Sequence, residues 1–159
     1  MDLPLLEVEL RRDEGIRYTR YIDTEGNPTC GVGHNLNASP LPIGWKFPLT
    51  DAQVDQLLAH DLTVTFAALD LHLPWWRKLD EVRQRVVANL CFNMGIGDAA
   101  TGKGLLGFKN ALGAMQRGSY AVAAAAMMAS KWYAQTGDRA KRLCRAMETG
   151  VMPNEPVVA

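Results

Sequence analysis

Cysteine and histidine are scarce in this 159-residue chain, at three each. Cys30, Cys91 and Cys144 are odd in number and lack CxxC spacing, so they cannot form a paired disulfide framework and read as small buried hydrophobes. His34, His60 and His72 are scattered among them without HExxH or comparable spacing, so neither a metal site nor a cofactor is expected. No apolar run reaches the roughly 18 residues that a membrane span needs, and Met1 to Glu7 has neither a basic nor an apolar signal region. The expected starting place is therefore a cytoplasm, without stable membrane insertion. Net charge is also absent, with 17 Lys and Arg against 17 Asp and Glu.

The balance hides an uneven distribution. Residues 1 to 61 hold 5 Lys or Arg against 10 Asp or Glu, and residues 62 to 159 hold 12 against 7. A basic C-terminal portion favours anionic cell-envelope polymers. It is the only hint of nucleic-acid binding, and since no recognition motif accompanies it, no nucleic-acid partner is expected. With 48% hydrophobic residues, the chain can bury about two-thirds of its unfolded surface as one domain, 1–159.

Two carboxylates and a hydroxyl stand out around one turn. Leu3 to Glu14 reads as a helix, with Leu3, Leu6 and Leu10 about a turn apart and Pro4 tolerable in the first turn. Glu14 ends this apolar stripe at the negative end of the helix dipole, where desolvation and the dipole both disfavour a bare carboxylate. That environment suits a general acid. Gly15 stops the helix, a β-type segment runs through Tyr18, Tyr21 and Ile22 to Asp23, and Thr24-Glu25-Gly26-Asn27 supplies turn chemistry. A single strand is expected next, its alternation placing Thr29, Gly31 and Gly33 on one face and Cys30, Val32 and His34 on the other. Taken singly, Glu14 is as readily an ordinary ion-pair partner, Asp23 a turn residue bonded to its own backbone and Thr29 a common strand residue. Only the three together make a glycosidase inventory.

Further along, Thr50-Asp51-Ala52-Gln53 is a capping box opening a helix to about Leu71, and Pro74 stops it. At roughly 20 residues that helix spans about 30 Å, enough to join a small β-containing lobe to a helical one. Asp80 to Met94 forms the centre of the second lobe, with Val82, Val86, Leu90 and Met94 in one stripe and Gly95 ending it. Phe108 to Gln116, Ser119 to Ala129 with Ser119 as N-cap, and Asp138 to Glu148 follow as helices. Gly97 to Gly104 approaches a phosphate-binding loop, but Gly104 stands where Ser or Thr is required and a helix precedes it, so that reading is rejected. Trp132 and Tyr133 are assigned to the core rather than to sugar stacking.

The run Arg12-Asp13-Glu14-Gly15, then Tyr21-Ile22-Asp23-Thr24-Glu25-Gly26, then Thr29-Cys30-Gly31-Val32-Gly33-His34 resembles the phage-type lysozymes, the endolysins related to the T-even phage enzyme. Leu49 to Gln53, His60-Asp61-Leu62, Phe92-Asn93-Met94-Gly95 and Lys131 to Arg142 agree, so the resemblance covers nearly the whole chain. It implies an α+β lysozyme-like fold, with a β-hairpin lobe at about 15–60, a helical lobe from 1–14 plus about 72–159, and a cleft between them. It implies Glu14 as catalytic acid, with Asp23 and Thr29 holding a water or stabilising charge. Gly33, Phe92 and Asn93 are the implied substrate contacts, Arg139 is the implied partner of the Asp13-Glu14 helix end, and His34 is paired with Asp61. The implied activity is a muramidase acting on bacterial peptidoglycan as a monomer, inverting in mechanism, reaching its substrate from the host cytoplasm with the help of a holin. A lytic transglycosylase, a chitinase and a catalytically dead wall-binding module are the alternatives. Two departures stand out: His34 to Asp61 is shorter than in the T-even enzyme, so a helix of the small lobe is expected to be missing, and Gly95 to Gly107 is longer.

Overall fold

A computed structural model describes residues 1–155 and shows an α+β chain. Its helices are α1 (Leu3–Glu14), α2 (Asp51–His72), α3 (Glu81–Met94), α4 (Lys109–Gln116), α5 (Tyr120–Met128), α6 (Lys131–Thr136) and α7 (Asp138–Thr149). The strands β1 (Arg17–Ile22), β2 (Pro28–Gly31) and β3 (His34–Asn35) form one antiparallel sheet in the order β1-β2-β3. The chain parts into two compact units, residues 7–64 and residues 1–6 with 65–159, whose boundaries fall inside α1 and α2. None of the described helices is long and apolar enough to cross a membrane.

In the first unit, α1 stops where Gly15 takes φ +73°, its N–H bonding back to the Arg11 carbonyl at 3.0 Å. A side chain at that φ would clash with its own backbone. Beyond β1, the expected single strand from Thr29 to His34 does not form. Gly31 and Gly33 take φ +60° and +62°, so Val32-Gly33 is a turn and the chain doubles back as β3. The side chains still sort as expected, by a different route. Cys30 lies directly opposite His34 and Thr29 opposite Asn35, and residues paired across antiparallel strands share a face. His34 therefore points to the Cys30 side, away from Thr29.

The shortened stretch after β3 carries no helix before α2. Helix α2 opens on a complete capping box: Gln53 N–H donates to Thr50 Oγ1 at 3.1 Å and Thr50 N–H donates to Gln53 Oε1 at 3.0 Å. Val54, Leu57, Leu58 and Leu62 of α2 are buried, as are Leu10, Cys30, Val32 and Leu49. His34 pins the sheet to α2. Its ring, 1% exposed, places Nδ1 2.7 Å from Asp61 Oδ2 and Nε2 2.7 Å from the Ser39 carbonyl. Both neighbours are acceptors, so the ring satisfies both only as the doubly protonated imidazolium.

In the second unit α3 is central, with Val86, Val87, Ala88 and Leu90 completely buried. Asp80 caps it by accepting from Arg83 N–H, and Gly95 ends it at φ +75°. Arg85, 1% exposed, is held by Glu81 at 2.6 Å and Glu155 at 2.7 Å, which ties the last described residues to α3. Arg83 stacks on Tyr120 and donates to the Met147 and Glu148 carbonyls at the end of α7. Ser119 occupies the N-cap position of α5, but its side chain accepts no capping bond; Ser130 instead caps α6, accepting from Tyr133 N–H at 3.2 Å. Of the Ala-rich run, Ala123 and Ala124 turn inward. The loop after α3 closes on itself through an Asp98–Lys103 bridge, and a Cβ on Gly97 would lie 1.9 Å from the Lys103 carbonyl oxygen. All three cysteines are free and buried; burial pushes the Cys91 thiol up to about 12 and the Cys144 thiol up to about 11.

The His34–Asp61 link yields a pH-dependent prediction. Burial, the largest single influence, pulls the His34 pKa down, but the Asp61 hydrogen bond and charge with the Ser39 carbonyl outweigh it, so the net shift is upward. A raised folded-state pKa stabilises the protein fully below the unfolded value of about 6.5, and that contribution is lost as pH rises through the folded value. His34→Asn should therefore cost about 1.5–3 kcal/mol near pH 5.5 and distinctly less near pH 8.5, read by denaturant unfolding at the two pH values. Equal losses at both would refute the charged-pair assignment.

Candidate active site

The candidate residues of the first unit are placed by the turn at Gly33, the turn at Asp23 and the pairing of β1 with β2. Glu14 is the last residue of α1 and is half-buried. The backbone of Gly33 lies directly against its carboxyl group: a Cβ built at Gly33 would stand 2.8 Å from Glu14 Oε2 and 2.9 Å from Cδ. Only glycine meets both the left-handed φ and this approach. Gly33, expected among the substrate contacts, thus lines the carboxyl itself. Beside Glu14, the Asp13 side chain is 1% exposed and takes the Arg12 guanidinium at 3.3 Å.

Asp23 and Thr29 are tied through one carbonyl. Asp23 Oδ1 accepts from the backbone N–H groups of Glu25 at 2.9 Å and Asn27 at 2.8 Å, the self-bonded turn that Asp commonly makes. The Asn27 carbonyl in turn accepts from Asp23 N–H at 2.9 Å and from Thr29 Oγ1 at 2.9 Å. Thr29 is 2% exposed and gives its single hydroxyl proton to that bond, so toward any ligand its oxygen acts as an acceptor. Asp23 is likewise an acceptor when ionised. Any water held by both must donate to both, which turns its lone pairs elsewhere.

Across the sheet, Tyr21 pairs directly with Thr29 and so projects from the same face. The Arg17 guanidinium sits 4.7 Å over its ring. The Tyr21 phenol is shifted upward, first by burial and then by the negative charge of Glu14; Arg17 opposes the shift and Asp23 adds to it. Tyr21 therefore lies in the field of both carboxylates. The sequence offered Tyr21 as a strand residue and as the start of the Tyr21-to-Gly26 segment; its pairing with Thr29 follows from the Asp23–Asn27 turn, which also sets Ile22 opposite Pro28. Asn27 was equally unmarked beyond its place in a turn.

The remaining candidates stand in or border the second unit. Asn93 is exposed in the last turn of α3, its side-chain oxygen accepting from Trp132 Nε1 at 2.9 Å, and Phe92 is half-buried beside it. Trp132 is 9% exposed and meets Phe108 edge-on, as a core residue. Arg139, 8% exposed, donates from Nε to Asn89 Oδ1 at 2.9 Å. Among the described residues, no cluster of His, Cys, Asp and Glu is arranged to hold a metal ion.

Residues 11–148 match the sequence model of the family described as phage lysozyme. The chain is 32% identical to the pre-baseplate central spike protein Gp5 of Enterobacteria phage T4 over 89% of its own length, and it spans 27% of that protein. It is 29% identical to probable T4-type lysozyme 1 of Dictyostelium discoideum, covering 90% of this chain and 93% of that relative. Probable T4-type lysozyme 2 of the same organism is 25% identical over similar shares, 90% and 93%.

The Gly33 contact predicts a steric effect separable from backbone strain. Gly33→Ala should displace the Glu14 carboxyl and lower turnover by at least about tenfold, since misplacement of about 1 Å costs that much or more. Gly44→Ala is the control: Gly44 also has positive φ, +91°, but nothing lies within 4 Å of its added methyl. Both variants should lose stability, read by thermal melting, and only Gly33→Ala should lose turnover. Equal turnover losses would sink the steric account.

Proposed function

The chain belongs to the phage lysozyme family, and from that premise we propose that it is a muramidase hydrolysing the β-1,4 bond between N-acetylmuramic acid and N-acetylglucosamine in bacterial peptidoglycan. The observation that carries this reading is the pairing of a carboxyl seated on the Gly33 backbone with an acceptor pair, Asp23 and Thr29, joined through Asn27. Glu14 gives a proton to the glycosidic oxygen as its bond to the anomeric carbon breaks. A water donates one hydrogen to the Thr29 oxygen and the other toward Asp23, attacks the anomeric carbon with its lone pair, and passes its proton to the Asp23 carboxylate. Each proton gained is matched by one lost.

A water so placed on the face opposite the leaving group inverts the configuration, and the Glu14 to Asp23 carboxyl gap should then exceed the about 5 to 5.5 Å of retaining glycosidases. Phe92 and Asn93 are assigned to glycan binding, and Arg139 with Asp13 to supporting the acid. The biological reading is lysis of the phage host by a monomer made in its cytoplasm and released to the wall through a holin. A lytic transglycosylase is the rival reading. The Asp23-Thr29 pair favours hydrolysis over it, because internal attack by the sugar needs no held water.

Digestion of purified sacculi tests the proposal. Mass spectrometry should find hydrated reducing ends on N-acetylmuramic acid, and NMR of fresh product should find the α-anomer first. Glu14→Gln should bind sacculi and lose nearly all turnover. Anhydro ends would establish the transglycosylase, an initial β-anomer would remove the inverting step alone, and normal digestion by Glu14→Gln would overturn the whole assignment.

A further inference from the structure

We propose that Tyr21 is a further substrate-binding residue of this site, its phenol hydroxyl donating a hydrogen bond to a sugar oxygen held beside Glu14, Asp23 and Thr29. The inference rests on the muramidase reading and adds to it a donor that the three-residue set lacks. Asp23 accepts only, Thr29 has given its proton to the Asn27 carbonyl, and the Glu14 proton is committed to the glycosidic oxygen. A glycan presents N-acetyl carbonyls and ring and hydroxyl oxygens, which need donors.

Three features place Tyr21 in that role. It stands opposite Thr29 in the sheet, so its side chain leaves the same face, and directly paired residues have Cβ atoms about 4.5–5.5 Å apart. It is the one half-buried residue of β1; the other five are exposed, and Ile22, on the opposite face, is 55% exposed. It is therefore not part of a buried apolar face. The Arg17 guanidinium lies over one face of its ring, 4.7 Å from the centroid, a contact that steadies the ring. Burial, and after it the negative charge of Glu14 and Asp23, raise the phenol pKa above its ordinary value of 10.0, so the hydroxyl keeps its proton and can donate near neutral pH.

The test is Tyr21→Phe, which keeps the ring and its Arg17 contact and removes only the hydroxyl. Binding of a tetrasaccharide of alternating N-acetylglucosamine and N-acetylmuramic acid is measured by calorimetry in the inactive Glu14→Gln background, with and without Tyr21→Phe. In the otherwise wild-type enzyme, KM and kcat on the same tetrasaccharide are measured alongside the melting temperature. A lost neutral hydrogen bond should weaken binding and raise KM about tenfold, with kcat and melting temperature near those of the wild type. Unchanged tetrasaccharide affinity, or a lowered melting temperature with unchanged affinity, overturns the role of Tyr21 and leaves the muramidase reading intact. A wild-type enzyme that releases no reducing ends from sacculi, together with a Glu14→Gln protein that does not bind the tetrasaccharide, overturns both.

Discussion

Two residues in left-handed backbone conformation, Gly31 and Gly33, govern the geometry of the unit formed by residues 7–64. Without them β2 would run on as an extended strand and carry His34 away from its place opposite Cys30. With them the chain reverses within two residues. The reversal sets the Gly33 backbone against the Glu14 carboxyl and lays β3 alongside β2, and His34 reaches Asp61 on α2. A local backbone constraint thus fixes the seat of the Glu14 carboxyl and the docking of the sheet on the long helix together. The His34–Asp61 contact joins two short side chains, so it is held at small entropic cost.

How well the sequence foretold this depended on the range of the interaction. Helix α1 with its Gly15 stop, the Thr50-Gln53 capping box and the Asp80-to-Met94 helix were legible because each is written in residues within one or two turns of each other. Strand alternation failed at Val32-Gly33, since a period of two presumes continuous extension and the flanking glycines break it. The conclusion drawn from it for His34 held because antiparallel pairing with Cys30 restored the same face. The two readings of Asp23, turn residue or catalytic carboxylate, were posed as alternatives. The turn bonds, carried by Oδ1, are present and hold the carboxyl in place, so the two roles are compatible.

Long-range pairs were the least legible. Trp132 with Asn93, Arg139 with Asn89 and Arg85 with Glu155 join residues 39, 50 and 70 positions apart, and no spacing rule announces them. Tyr21 escaped notice for a related reason, as its pairing with Thr29 depends on the register that the Asp23–Asn27 turn sets. Ser119 and Ser130 show the limit of capping rules in miniature. Both precede helices, and only Ser130 has the extended backbone, φ −84° and ψ 157°, that lets its hydroxyl reach the N–H three residues on.

The cysteines carry a consequence of their own. A thiol reacts through its thiolate, and burial holds the Cys91 and Cys144 thiols protonated far above neutral pH while closing them to reagents; burial shifts Cys30 the same way. Folded, the protein is chemically a cysteine-free molecule, indifferent to whether its surroundings are oxidising or reducing. Each opening of the structure exposes a labelling site: Cys30 in the sheet, Cys91 on α3 and Cys144 on α7. The rate at which each takes up a thiol reagent therefore times the opening of its own element, with no probe added to the chain.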